Sequence, residues 1–100
     1  MPMTVVVTRD VEDRYRGFLA SCMLEIAPGV YTAPNLSAGV RERVWAVVTE
    51  WHAALGRGSI VMTWRDAAAP GGQQVRTLGT SARSLHDADG VVLAFRELTE

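Results

Sequence analysis

One hundred residues suffice for one hydrophobic core, so the whole chain, 1–100, is expected to be a single domain. With 48% hydrophobic and 21% charged residues and a formal net charge of -1, the composition excludes a disordered tail and offers no global attraction to nucleic acid. No apolar run approaches the roughly 18 residues of a membrane span, and "MPMTVVVTRD" lacks the basic flank and cleavage site of a signal peptide, which points to a cytoplasmic protein with no membrane partner.

The first element is a short β-branched strand over residues 3–8, "MTVVVT". Val11, Tyr15, Phe18, Leu19 and Cys22 follow at helical spacing and predict a helix over about residues 11–23, with Asp10 as its N-cap and Asp13 favouring the positive helix end. Cys22, the single cysteine, falls on that apolar stripe and reads as a reduced core residue. "MLEIAPGVYTA" breaks at Pro28-Gly29 into two strands of a hairpin. Ser37 caps a second helix, with Leu36 as a hydrophobic staple, a stripe of Val40, Val44, Val47, Val48, Trp51 and Leu55, and Gly56 as its stop. "SIVMTW" places Ile60, Met62 and Trp64 on one strand face and Val61 and Thr63 on the other. A polar strand, "QQVRTLG", and an apolar one, "GVVLAFREL", close the chain.

The order βαββαβ with one or two further C-terminal strands is the split βαβ, ferredoxin-like plan of an α+β protein, with helices on one face of an antiparallel sheet. Both sheet faces carry apolar side chains, so a homodimer packed sheet to sheet, with or without exchange of the last strand, would cover the second face.

Charge crowds the junction "TRDVEDRYR". All ten basic residues are arginine, a side chain suited to bidentate phosphate contacts. Arg14 and Arg16, about 200° apart on an ideal helix, flank the apolar stripe on opposite sides, and Arg16 is spaced to pair with Glu12. Arg41 and Arg43 sit near the start of the second helix, where basic side chains oppose the dipole unless an anion joins them; solvated pairs with Glu42 or Glu50 are the alternative. His86, Asp87 and Asp89 in "HDADG" read as a turn rather than a metal cluster. His52 is expected to face solvent, and Trp45 and Trp51 to serve packing rather than base stacking.

In this order, "TVVVTRDVEDRYRGFLASCMLEIAPGVYTA", "SAGVRERVW", "IVMTW", "LGTSAR" and "DGVVLAF" resemble the small, dimeric, non-integrase protein of CRISPR spacer acquisition in its type I-E form. The resemblance runs over nearly all 100 residues and is carried by the "RGFLASCMLE" helix leading into "GVY" and by "SAGVRERVW". It implies a ferredoxin-like homodimer that bridges dimers of the CRISPR-associated integrase and binds the backbone of duplex DNA.

On the same resemblance, Arg14 and Arg16 match the basic pair that grips phosphates, and Arg83 matches one of two adjacent arginines, the other position being Ala82. Many relatives are described as Mg²⁺-dependent endonucleases of RNA or DNA, in which an aspartate at the end of the first strand is the catalytic and metal-binding residue. Asp10 holds that position, and two such carboxylates across a dimer could share one hard cation. Arg9 stands beside it where type I-E relatives tend to carry an acidic residue, and a cation there repels metal.

A non-catalytic DNA scaffold using Arg14, Arg16, Arg41, Arg43 and Arg83 is therefore the leading expectation, with a metal-dependent endonuclease through Asp10 as the alternative. A ferredoxin-like RNA- or ligand-binding module ranks last, because "TVVVT" offers no exposed aromatic platform.

Overall fold

The computed structural model describes residues 2–80 in full and, beyond them, the backbone of two strands over 83–88 and 91–96. The elements run β1 (Thr4–Arg9), α1 (Asp13–Cys22), β2 (Leu24–Ala27), β3 (Val30–Ala33), α2 (Ala38–Leu55), β4 (Ser59–Arg65), a 3-10 turn (Pro70–Gly72), β5 (Gln73–Leu78), β6 (Arg83–Ala88) and β7 (Val91–Arg96). The first five strands form one antiparallel sheet in the order β2-β3-β1-β4-β5, and β6 pairs with β7 in a separate ladder. The first four strands and two helices are the ferredoxin-like arrangement, with β5 added beside β4.

Register follows from which residues need burial. Val6 stands opposite Met62 and Tyr31, and Thr4 opposite Trp64 and Ala33, so one sheet face presents a set that the helices cover. Leu19 of α1 and Val44 and Val48 of α2 complete this core, with Ile60 and Met62 fully enclosed. A one-residue slip would turn the whole set to the opposite face, which fixes the pairing. That opposite face carries Val5, Val7, Val30, Val61 and Val75 between threonines, and among the described residues no helix covers it. Val7 is 42% exposed, and Met3 and Leu24 are exposed beside it.

Helix α2 ends as its residues dictate. The Ser37 hydroxyl accepts from the Val40 N–H at 3.2 Å, and Gly56, at φ 65, donates its N–H to the His52 carbonyl at 2.7 Å. Leu36 is buried in the core, whereas Val40 and Leu55, expected on the buried stripe, lie in the first and last turns of α2 and are each 38% exposed.

Helix α1 departs from expectation. It begins at Asp13, its N-cap is Glu12 with no side-chain cap bond, and Asp10 does not cap it. Asp10 instead adopts φ 56, the left-handed conformation, which turns the chain out of β1 two residues earlier than a cap would. Strand β6 is a second departure. The polar run leading to "HDADG" forms a strand through Ala88, so His86 and Asp87 lie in β6, and positions 89 and 90 of the expected turn lie outside the described residues. Among the described residues, no helix is long and apolar enough to cross a membrane.

Candidate nucleic-acid interface

Because β1 and β4 are antiparallel, Arg9 pairs with Ser59, and the α2–β4 loop lands on the Asp10 corner. Gly58 makes this possible. At φ 79, any Cβ it carried would strike the Arg9 and Asp10 carbonyls. The loop's Arg57 then reaches Asp10 twice, its Nε donating to the backbone carbonyl at 3.2 Å and lying 3.6 Å from Oδ1. Both side chains are more than half exposed, 56% for Arg57 and 74% for Asp10.

Asp10 is thus neither a helix cap nor the centre of a ligand set. Among the described residues, no three His, Cys, Asp or Glu side chains are grouped to hold a metal ion. One exposed carboxylate with an arginine on it and Arg9 next in sequence does not fit a divalent cation, which would need ligands from a second chain.

Arg14 and Arg16 point apart as their spacing requires. Arg14 lies over the Trp51 indole, 5.2 Å from the ring centroid, and its exposed side chain lines a groove of ≈ 430 Å³ with Arg57, Val11, Glu12 and Asp13. Trp51 is itself held edge-on by Tyr15 and Phe18, so Arg14 stands on a packed platform. Arg16 turns to the other side and donates from Nε to Glu25 Oε1 at 3.1 Å, not to Glu12. Glu25 also accepts from the Gly29 N–H at 3.3 Å. Burial works to raise its carboxyl, but the Gly29 N–H, the Tyr31 hydroxyl and the Arg16 guanidinium together hold it below the usual range.

At the other end of the sheet, Arg41 and Arg43 separate. Arg43 is exposed, while Arg41 stacks on Trp64 at 4.0 Å from the centroid with only 13% of its side chain accessible. Arg76 of β5 lies over the same indole at 4.9 Å, and Glu42 lies against both arginines, 2.9 Å from Arg76 and 3.5 Å from Arg41. The Arg76 bond in particular holds the Glu42 carboxyl below its ordinary value. Arg41 therefore clasps α2 to β4 and β5. Arg83 opens β6, and its side chain and Ala82 lie outside the described residues.

His52 is half-buried rather than solvent-facing. Its Nε2 lies 3.1 Å from the Gly58 carbonyl, which ties the end of α2 to the loop on Asp10. Cys22 and Trp45 pack at the core margin as expected, and burial pushes the Cys22 thiol up.

Arg57 and Arg76 went unnoticed in the sequence, since neither belongs to a motif. The signal for Arg57 was available only after strand pairing: once β4 is set antiparallel to β1, the residues just before Ser59 must fall beside Asp10. The profile of the family described as CRISPR-associated protein (Cas_Cas2CT1978) matches residues 3–93 of this chain.

Proposed function

The chain belongs to the CRISPR-associated protein family Cas_Cas2CT1978, a spacer-acquisition family, and from that premise we propose that it is a dimeric, non-catalytic DNA scaffold of the adaptation complex. The observation that carries the reading is the division between the two sheet faces. The helix-free face leaves Val7, Met3 and Leu24 in water, an apolar surface that a second copy of the same sheet covers. A dimer built on it keeps both α1 helices outward and doubles the exposed arginines, among them Arg9, Arg14 and Arg43.

The mechanism is backbone recognition. Arginines of two protomers neutralise phosphates along a duplex, setting its orientation and length while reading no bases. A net charge of -1 and the engagement of Arg41 and Arg76 with Glu42 on Trp64 limit this to the exposed arginines elsewhere on the chain. Bridging of integrase dimers places the protein at the centre of the complex. The endonuclease reading, with paired Asp10 carboxylates on Mg²⁺, draws less support, because the carboxylate already carries Arg57.

Fluorescence titration of unrelated duplexes over a salt series tests the proposal. Affinity should be independent of sequence and fall steeply with salt, with a slope that counts the phosphates neutralised. Equal affinity at low and high salt would remove the scaffold reading. Co-purification with the integrase tests the bridging role separately.

A further inference from the structure

We infer that Arg57 is a further phosphate-contacting residue and that Asp10 is its positioning residue, so that the strand-end aspartate serves backbone binding rather than cation binding. This rests on the scaffold reading above. Asp10 offers two acceptors to the same nitrogen: its carbonyl at 3.2 Å and its Oδ1 at 3.6 Å both face Arg57 Nε. A guanidinium has five N–H donors in a rigid fork, and engaging Nε leaves the four on the two terminal nitrogens. Those are the donors that grip a phosphate end-on.

Three features fix where that fork sits. The left-handed turn at Asp10 brings its backbone carbonyl to the loop side. Gly58 lets the loop backbone close onto Arg9 and Asp10, and His52 anchors the Gly58 carbonyl from the end of α2. The side chain is thereby tethered at Nε while remaining 56% exposed. It lines the same groove as Arg14, which stands on Trp51 across the start of α1. The two arginines come from different elements and face one groove, so a phosphate track that meets Arg14 continues onto Arg57. Glu12 and Asp13 line that groove too and oppose an anion, which limits the gain to about one phosphate contact.

The ligand chemistry is a phosphodiester of duplex DNA, and the full-length protein with a fluorescent duplex is the probe. Arg57→Ala should weaken binding several-fold and reduce the salt slope by about one, as expected for one lost phosphate contact. Arg65→Ala, an exposed arginine at the opposite end of β4, should leave both unchanged. Asp10→Gly keeps the left-handed turn while removing the Oδ1 acceptor, and should weaken binding in the wild-type background but not in the Arg57→Ala background. A carboxylate that acts only by repelling DNA gives the opposite result, tighter binding in both backgrounds.

Unchanged affinity and slope for Arg57→Ala, alongside a clear loss for Arg14→Ala, would overturn this inference and leave the scaffold reading standing. Loss of neither, with salt-independent binding, would overturn both. Mn²⁺ titrated against the protein without DNA adds an independent readout, since a binding site abolished by Asp10→Asn would return the carboxylate to metal chemistry.

Discussion

The two faces of the sheet are built from the same strands, residue by alternate residue, yet they meet different surroundings. Toward the helices, Val6, Tyr31, Ile60 and Met62 are closed off from water; on the reverse, Val5, Val7 and Val61 carry similar chemistry and, among the described residues, no helix lies above them. The burial free energy of an aliphatic side chain is of similar size on either face, roughly 1.5–3 kcal/mol when complete. One face realises it by folding alone; on the other, Val7, Met3 and Leu24 leave it unrealised among the described residues, and the proposed sheet-to-sheet dimer is what would recover it.

The sharpest way to break this comparison is to truncate one apolar side chain on each side. Met62→Ala, at 0% exposure in a central strand, should cost about 2–5 kcal/mol in urea denaturation, through lost burial and the cavity left behind. Val7→Ala on the reverse face should cost well under about 1.5 kcal/mol in the monomer. Similar losses for both would mean that the reverse face is packed by the chain itself.

The next test acts on association. Val7→Asp and Leu24→Asp place a charge on the uncovered face without entering the core. Sedimentation should show monomers that keep native circular dichroism and a cooperative melt at a lower midpoint, since a lost dimer removes its mass-action contribution. An unchanged dimer would move the interface elsewhere.

How far this division was legible follows from the period of the pattern. Strand alternation in "SIVMTW", the turn at Pro28-Gly29 and the Ser37 and Gly56 caps are local signals, and each holds in the structure. The start of α1 was not legible, because a strand-end Asp ahead of a helix fits both a cap and a left-handed turn, and only the distant Arg57 and Gly58 decide between them. The burial of Arg41 was not legible for a similar reason, although its pairing with Glu42 was one of the two readings offered by the sequence. Its position near the helix start suggested an exposed cation, but the indole that covers it lies 23 residues later, on β4 (64 − 41). Sequence spacing places residues on a face of an element; it does not say which other element will be found there.

A smaller effect is expected at the arginines of α1, which sit outside the helix-covered face. Arg14→Ala should weaken duplex binding several-fold and lower the salt slope by about one. Arg16→Ala should do less, since its side chain turns away from the groove that Arg14 and Arg57 line. Equal losses for Arg14→Ala and Arg16→Ala in parallel titrations would show that the phosphate track also runs on the Arg16 side of α1.

The smallest test returns to one strand, where Tyr31 faces the helices at 1% exposure and Thr32 faces the other way. Burial pushes the Tyr31 hydroxyl up to about 12, with the Glu25 carboxylate beside it adding to the effect. The folded state therefore holds the phenol neutral, and its contribution is fully present below the ordinary tyrosine pKa of about 10 and lost as pH rises from there through about 12. Glu25 runs the other way: its carboxyl is held down in the fold, so its contribution is present above the ordinary carboxylate range of about 4 and lost as pH falls below it. Tyr31→Phe keeps the buried ring, removes the alkaline loss and, by withdrawing one donor from Glu25, shallows the acid loss as well. Urea denaturation from pH 3 to about 11.5 reads both limbs at once. An alkaline limb that survives Tyr31→Phe unchanged would assign it to Tyr15, the other buried phenol, and would place the pH sensitivity in the helix layer rather than in the sheet.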